Sequence, residues 1–352
     1  MSIVLTILSL ILGPQGPVLT PNEVTCFDQI KPRGFILFHK KKDTNGNPVP
    51  GNILNKEQVS GLVSGLVTTV GRPKADIAMA VDAEGGIVWR FPGGAWPFPK
   101  TEFDLPPGIQ RNPDPSVPPP AFYFGQLYEK DPAEAVKKCR ENYRRIGEVA
   151  KSWGFNVVMA PCLDLHTMGT DGLPAQNAIS SLGRSFSSNP DVVAELGLAA
   201  VRGLLDAGVV AVIKHMPGLG PTNLDSHRKC SVVDLDAKAL EPHLRPFKKV
   251  WQNLTKDEKK KVWGMVGHIL YPKIDPIYPS SLSKKVIDQL IRGKIGFDGV
   301  LVTDDLFMGG ADVQGLDAAG RVKAALAAGV DISLYCHGTP TEYTAMAKAV
   351  QG

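Results

Sequence analysis

Cysteine is scarce in this chain. The five that occur, Cys26, Cys139, Cys162, Cys230 and Cys336, are scattered, odd in number and never arranged as a C-x-x-C pair. This pattern argues against a disulfide framework and against a zinc-binding motif. We therefore expect a protein of a reducing compartment, the cytoplasm, with no bound metal.

An excess of charge of one sign is also missing. The 39 lysines and arginines are nearly balanced by 35 aspartates and glutamates, so the net charge is only +4 over 352 residues. The two basic clusters, residues 39–42 and 259–261, contain no interleaved aromatic residues. Such clusters are typical of solvated faces, and we expect no nucleic-acid partner.

No hydrophobic run is long enough to cross a bilayer. The strongest candidate, residues 2–12 (SIVLTILSLIL), falls well short of the roughly 20 residues that a membrane-spanning helix needs. It could be the core of a signal peptide, but no Lys or Arg precedes it and residues 13–17 form a poor cleavage site. A buried first strand is favoured, and we expect no membrane partner.

The sequence does contain eight short apolar runs, most of them separated by helical segments. The runs are residues 2–12, 34–38, 77–82, 155–160, 209–214, 263–268, 299–304 and 330–335. Continuous apolar runs are typical of strands buried on both faces of a parallel sheet. Eight β/α alternations predict an α/β fold, a single (β/α)8 barrel of the TIM type that spans residues 1–352. Residues 92–120, rich in proline and glycine, are predicted to form a long loop within it.

Capping residues mark two helix starts. Asp131-Pro-Ala-Glu134 places an acidic cap before a proline and a glutamate, and Asn189-Pro190 opens another helix in the same way. Alanine-rich helices are predicted around residues 316–329 and 340–350.

Polar and ionisable residues occur where several of the predicted strands end. They are Asp82, Asp164, Lys214, His215, His268 and Asp304. In a β/α barrel these side chains would converge at the C-terminal mouth, where active sites of this fold are built. One such residue is often structural, but several of mixed charge around one mouth predict an active site.

The segment from Lys214 to His227 carries the strongest chemical signal. Lys214 and His215 end a strand, and a loop containing Gly218 and Gly220 then leads to the pair Asp225-x-His227. A carboxylate two residues from an imidazole can set the ring's tautomer and raise its basicity, which suits a proton donor and acceptor. The glycines would let this pair close over a ligand. The alternative is a solvated loop with an ordinary surface histidine.

Further residues fit a pocket for a hydroxyl-rich ligand. Asp82 lies beside a glycine turn, Arg90 follows it, and Arg184 stands in a loop. The pair Asp304-Asp305 offers a carboxylate that could attack a substrate. A carboxylate nucleophile with a separate acid/base is what retaining glycoside hydrolysis requires. Gly218-x-Gly220 alone is a weak nucleotide-binding signal.

With these motifs the chain resembles glycoside hydrolase family 3, and in particular its bacterial β-N-acetylhexosaminidase branch. The matching segments are residues 16–20, 34–38, 81–86, 90–91, 160–164, 183–186, 214–227, 268–272 and 296–306. The resemblance implies that Asp304 is the nucleophile and that His227, oriented by Asp225, is the acid/base. It also implies a set of sugar-binding residues: Asp82, Arg90, Arg184, Lys214 and His215.

The same resemblance implies the reaction and its setting. A retaining enzyme of this branch removes terminal β-linked N-acetylglucosamine from muropeptides or chitooligosaccharides, in the cytoplasm and without a cofactor. Two positions depart from the branch: Leu219 stands where a second histidine is usual, and Ala83 where glutamine is common. The 92–120 loop is also longer than expected. These departures bear on the aglycone side of the site.

Three alternatives remain open. A β-glucosidase or β-xylosidase of the same family usually takes its acid/base from a second domain, a role for which this chain has Asp225-x-His227. Transfer of the sugar to phosphate instead of water is a second possibility. A non-catalytic sugar-binding barrel would be expected to lack one of the catalytic residues, and none is missing.

Overall fold

Eight parallel strands form the centre of the protein. The computed structural model describes residues 8–42, 48–175, 177–219, 222, 230–236, 238–313 and 315–351, and all structural statements refer to these residues. The strands are β1 (Leu10–Leu12), β2 (Gly34–Leu37), β3 (Ala78–Val81), β4 (Val157–Val158), β5 (Val210–Met216), β6 (Val262–Val266), β7 (Leu301–Thr303) and β8 (Ser333–Tyr335).

The sheet closes on itself. Its strand order runs from β7 down to β1 and then to β8, with each strand parallel to the next. A parallel bridge between Val302 and Ile332, with a hydrogen bond of 2.9 Å from Thr303 N to Ile332 O, joins β7 to β8. The predicted (β/α)8 barrel is confirmed.

Helices follow the strands around the barrel. They are α1 (Pro21–Ile30), α2 (Lys56–Val70), α3 (Ala121–Lys130), α4 (Pro132–Ser152), α5 (Pro190–Asp206), α6 (Glu241–Asn253), α7 (Lys256–Lys259), α8 (Lys284–Val286, continued by π-helical turns over Ile287–Ile295), α9 (Ala318–Ala328) and α10 (Pro340–Gln351). None of the helices in the described ranges combines the length and the apolar character needed to cross a bilayer.

Two of the helix starts were predicted from their capping residues, and both predictions are confirmed. The side chain of Asp131 accepts a hydrogen bond from the main chain of Glu134 at the start of α4. The side chain of Asn189 accepts one from the main chain of Asp191 at the start of α5. Each cap satisfies an N–H group that the helix itself leaves without a partner.

The apolar side chains of the strands divide between two layers. Ile11 points to the inside of the barrel, where it packs with side chains from the other seven strands or their ends, whereas Leu10 and Leu12 pack in the layer between strands and helices. This division follows from the alternation of side chains along a strand, and it explains why the runs are apolar throughout.

A short hairpin after β3 shapes the mouth of the barrel. It pairs Ala83–Gly85 with Val88–Trp89. Gly85 and Gly86 both adopt positive φ values, 95° and 56°, a region that favours glycine. The hairpin therefore turns Glu84 back toward the strand ends. Two further short pairings, Lys40–Lys42 with Pro48–Pro50 and Ser231–Val232 with Ile269–Leu270, complete the described sheets.

Candidate active site

A small cavity opens at the C-terminal ends of the strands. Its volume is about 140 Å³, well below the roughly 300–1,000 Å³ of sites that hold drug-sized ligands. Six predicted site residues line it together: Asp82, Arg90, Arg184, Lys214, His215 and Asp304. The structure thus brings together residues that lie as much as 222 positions apart in the sequence, in a space that suits one small polar ring.

Four charged side chains form a network at one wall of the cavity: Asp82, Arg184 and Lys214 line it, and Glu84 contacts both cations. Glu84 accepts two hydrogen bonds from Arg184, from Nε at 2.9 Å and from Nη2 at 2.8 Å. Lys214 Nζ lies 2.7 Å from Glu84 Oε1 and 2.9 Å from Asp82 Oδ1. Two cations face two carboxylates, so the wall is close to neutral although its charges are buried.

The pKa values of this network follow from its geometry. Burial acts to raise the pKa of Glu84, but Arg184 and Lys214 outweigh it and hold the pKa well below its ordinary value. Burial likewise acts to lower the pKa of Lys214, yet the two carboxylates leave that pKa above its ordinary value. Both groups are therefore charged at neutral pH. Lys214 uses two of its three donors on described residues, which leaves one for a ligand hydroxyl.

His215 is held in place from the loop that follows β4. Its Nδ1 lies 2.6 Å from Asp164 Oδ2, to which it donates, and Arg184 Nη2 approaches Nε2 at 3.3 Å. Asp164 also accepts from the main chain of Leu219 at 2.8 Å and from Cys162 Sγ at 3.3 Å. Burial acts to raise the pKa of Asp164, but His215 and these hydrogen bonds hold the pKa below its ordinary value.

Cys162, Asp164 and His215 form a group of side chains that could bind a metal ion. One ligand atom each from Cys162, Asp164 and His215 lie within 4.8 Å of one another, and all three residues are buried. In the structure these atoms hydrogen-bond among themselves, so Asp164 acts as a support for the imidazole.

Arg90 contributes a donor without a protein partner. The residue follows the hairpin strand Val88–Trp89, and its Nε is buried with no hydrogen-bond partner among the described residues. A buried N–H group left without a partner costs about 1–3 kcal/mol, so a ligand oxygen in the cavity would stabilise this side chain.

Asp304, directly after β7, also lines the cavity. Its main-chain N–H donates to Val266 O of β6 at 2.8 Å, and its Oδ1 accepts from the N–H of Asp305 at 2.8 Å. The backbone on both sides is thereby fixed. Asp304 is half-buried, so its carboxylate is reachable by a molecule in the cavity.

Asp305 points elsewhere. Its Oδ1 accepts hydrogen bonds of 3.0 Å from the main chain of Phe307 and of Cys336, beyond β8. Burial raises the pKa of Asp305 to about 6, and the neighbouring Asp304 adds to the rise. His268, also predicted at a strand end, is fully buried between Ser281 Oγ at 2.7 Å and the carbonyl of Asp305 at 3.0 Å. Of the two aspartates, only Asp304 lines the cavity.

The predicted dyad of Asp225 and His227 lies outside the described residues. The chain is described up to Leu219, which lines the cavity, at Thr222, and again from Cys230.

The 92–120 loop lies beside the cavity and contains no helix or strand. Gln110 N donates to Ser181 O at 2.8 Å, and Asn112 Nδ2 donates to Gly86 O at 2.7 Å. The loop thus packs against the turns that follow β3 and β4. It encloses a second cavity of about 540 Å³, lined in part by Phe103 and Arg111.

Two supporting residues were missed when the site was predicted. Glu84 lies within the segment 81–86 that carries the resemblance, and Asp164 is one of the strand-end residues predicted to converge at the mouth, but neither is among the residues that the resemblance assigns to catalysis or sugar binding. A glutamate directly before a Gly-Gly turn was the available signal for the first. For the second, the available signal was an acid two residues after Cys162.

Comparisons with known proteins agree with this geometry. Residues 44–352 match the glycosyl hydrolase family 3 N-terminal domain. The beta-hexosaminidase of Stenotrophomonas maltophilia strain K279a is 30% identical over 347 residues, covering 97% of this chain and 87% of that protein.

Two solved structures extend the comparison. NagZ of Neisseria gonorrhoeae in complex with N-trifluoroacetyl-D-glucosamine has a TM-score of 0.74 and 25% identity, with 99% of this chain and 90% of that chain covered. A family 3 β-N-acetylglucosaminidase from Paenibacillus sp. FPU-7 has a TM-score of 0.74 and 26% identity, covering 97% of this chain but 56% of the longer protein.

Proposed function

Because the chain belongs to glycoside hydrolase family 3, we propose that it is a retaining exo-β-N-acetylglucosaminidase that removes terminal β-linked N-acetylglucosamine. The observation that carries the proposal is the position of Asp304, which lines the same small cavity as Asp82, Arg184 and Lys214. A carboxylate beside a pocket for one hydroxyl-rich ring is the arrangement that attack on an anomeric carbon requires. The choice of N-acetylglucosamine as the sugar rests on the names of the relatives.

In this proposal Asp304 attacks the anomeric carbon and forms a glycosyl ester while the bond to the leaving group breaks. His227, oriented by Asp225, protonates the departing oxygen and then takes a proton from the water that releases the sugar. Sugar hydroxyls are bound by Asp82, Arg90, Arg184, Lys214 and His215. Each of these five side chains lines the cavity, and together they offer both donors and acceptors.

The size of the cavity supports exo action. A space of about 140 Å³ suits a single terminal sugar rather than an internal stretch of polymer. The 92–120 loop packs against the turns after β3 and β4, beside the residues of those turns that line the cavity. We propose that the catalytic unit is the one barrel, with this loop as part of it. Terminal N-acetylglucosamine on cytoplasmic muropeptides is the natural substrate that we propose.

The test is turnover of an aryl β-N-acetylglucosaminide against the matching aryl β-glucoside, with and without phosphate. We expect hydrolysis of the first substrate, much slower hydrolysis of the second, and no sugar phosphate. Preference for the glucoside would assign the chain to the β-glucosidase type, and sugar 1-phosphate as product would make it a phosphorylase. No turnover of either would leave a sugar-binding barrel.

A further inference from the structure

An exposed phenylalanine stands close to the proposed nucleophile. Phe307 follows Asp304 by three residues, in the loop after β7, and its side chain is 44% exposed. Two aromatic rings support it from beneath: Tyr335 at 5.8 Å between centroids and His337 at 5.4 Å, both in edge contacts. Phe307 is thus an apolar ring held in a fixed orientation with part of its surface open to solvent.

The supporting ring of His337 is itself anchored. Its centroid lies 5.5 Å from that of the Phe38 ring, with the ring planes tilted by 32°, and its Nε2 is 3.9 Å from Asp305 Oδ2. Phe38 follows β2 and His337 follows β8, so the group spans the mouth from β7 across β8 to β2. We call Phe38, Phe307 and His337 the rim cluster.

The rim cluster and the cavity meet at the loop after β7. The described residues that line the cavity come from the end of β3 round to this loop, which supplies Asp304 to the cavity and Phe307 to the rim cluster. The charged wall of Glu84, Arg184 and Lys214 comes from the β3, β4 and β5 side, whereas Asp304 follows β7, next to β8 in the closed barrel. Asp304 therefore stands between the charged wall and the rim cluster.

The order of the charged wall, Asp304 and the rim cluster around the mouth determines on which side of the sugar the leaving group lies. The anomeric carbon has to reach Asp304, and the sugar hydroxyls distant from that carbon face the charged wall. The substituent on the anomeric carbon then points away from the wall, toward β7 and β8. We propose that Phe307 is the stacking platform for this leaving group, and that the group it fits is a second pyranose sugar. The inference rests on the proposed function.

The chemistry of the ring agrees with such a ligand. A pyranose presents C–H groups on its faces and hydroxyls at its edge, so one face packs on an aromatic ring while the hydroxyls stay in water. Because Tyr335 and His337 already orient the Phe307 side chain, little conformational entropy is lost when the sugar binds.

The test compares two substrates that share N-acetylglucosamine and differ in the leaving group. Methyl β-N-acetylglucosaminide offers nothing to stack, and N,N′-diacetylchitobiose offers a pyranose. In Phe307→Ala the ratio of kcat/KM values, disaccharide over methyl glycoside, should fall about threefold to tenfold, as expected for loss of one aromatic contact. Phe307→Trp should keep the ratio. Val24→Ala is the matched control, since Val24 is similarly exposed, at 41%, on helix α1.

If Phe307→Ala folds poorly, Phe307→Leu replaces it, because leucine fills the space without an aromatic face and should lower the same ratio. A ratio unchanged in either variant would overturn the inference, and so would equal losses on both substrates, which would mean that Phe307 only supports the Asp304 loop. Wild-type protein that cleaves neither substrate would overturn the proposed function and this inference with it.

Discussion

One oxygen of Glu84 lies 2.7 Å from Lys214 Nζ, although the two residues are 130 positions apart in the chain. The hairpin after β3 supplies the carboxylate and β5 supplies the ammonium group. Both side chains are almost wholly buried, so each depends on the other for charge compensation. This contact connects the stability of the barrel mouth to its proposed affinity for sugar.

Replacement of Glu84 should therefore weaken both properties. Glu84→Gln leaves Arg184 and Lys214 with only one carboxylate, and we expect the free energy of unfolding to fall by about 3 kcal/mol. The KM for an aryl N-acetylglucosaminide should rise because both cations lose their orientation. The control is Glu148→Gln, which removes an exposed ion pair with Arg144 and should cost less than about 1 kcal/mol. Urea unfolding and initial rates give both quantities; equal effects in the two variants would contradict the prediction.

The role of Asp304 can be tested by substitution and by labelling. Asp304→Asn should reduce kcat by more than about a thousandfold, because an amide cannot form the glycosyl ester. A mechanism-based fluorosugar should label Asp304 in the wild-type protein, as read by peptide mass spectrometry, and NMR should show the β-anomer as the first product. Asp288→Asn, at an exposed ion pair with Lys284, is the control. Labelling at Asp305, or an initial α-anomer, would remove Asp304 from this role.

The acid/base role of His227 predicts a dependence on the leaving group. His227→Ala should lose roughly a hundredfold in kcat/KM on a poor leaving group and much less on an activated aryl glycoside, whose departure needs little protonation. Asp225→Asn should act in the same direction with a smaller loss, since it removes the charge that orients the imidazole. Losses of equal size on both substrates would mean that His227 only binds.

Asp164 should act through His215. In Asp164→Asn the amide nitrogen can face His215 Nδ1, which moves the ring proton to Nε2 and turns it toward Arg184, 3.3 Å away. The KM should rise about tenfold, by loss of roughly one charge-assisted hydrogen bond, while kcat changes less. Nitrogen-15 NMR of the imidazole reports the tautomer directly. An unchanged tautomer with a raised KM would show that Asp164 acts by another route.

The raised pKa of Asp305 predicts how stability depends on pH. Its pKa is about 6 in the folded chain against an ordinary value of 3.8, so the folded chain binds this proton more tightly than the unfolded chain. The contribution to stability is complete below about pH 4 and is lost as the pH rises through 6. Relative to wild type, Asp305→Asn should gain about 3 kcal/mol in free energy of unfolding between pH 4 and pH 7.

Urea unfolding at several pH values measures this difference. Asp288→Asn serves again as the control, because its carboxylate is about half exposed and should show a nearly constant difference. A constant difference for Asp305→Asn as well would contradict a raised pKa.

The fold could be predicted because buried strands and capped helix starts each leave a pattern in the local sequence. Leu301 and Val302 are both apolar since their strand is covered on both faces, and Asp131 and Asn189 mark helix starts within a few residues of the groups they cap. The ends of the strands were harder to predict from the sequence. The run 155–160 predicts six strand residues, but only Val157–Val158 pair as a strand, and Ala160 N donates back to Val158 O at 2.8 Å instead of to a neighbouring strand.

The site was predictable only in part, and for a different reason. Asp304, Lys214 and Arg184 stand in recognisable motifs, so they could be named from the sequence. Which side chain each of them contacts is decided by the closure of the barrel, since Arg184 is 100 residues from Glu84 and His215 is 51 residues from Asp164. No local pattern encodes a pairing over that distance.

The 92–120 loop is held at the mouth in part by main-chain hydrogen bonds. Gly86 N donates to Pro118 O at 2.8 Å, and Gln110 N donates to Ser181 O at 2.8 Å. Such bonds do not depend on side-chain identity, and residues 99–102 are exposed, so we expect that these four can change without releasing the loop from the mouth. Exchange of these residues by protein engineering would therefore give the barrel a new surface beside the sugar pocket and leave the pocket itself unaltered.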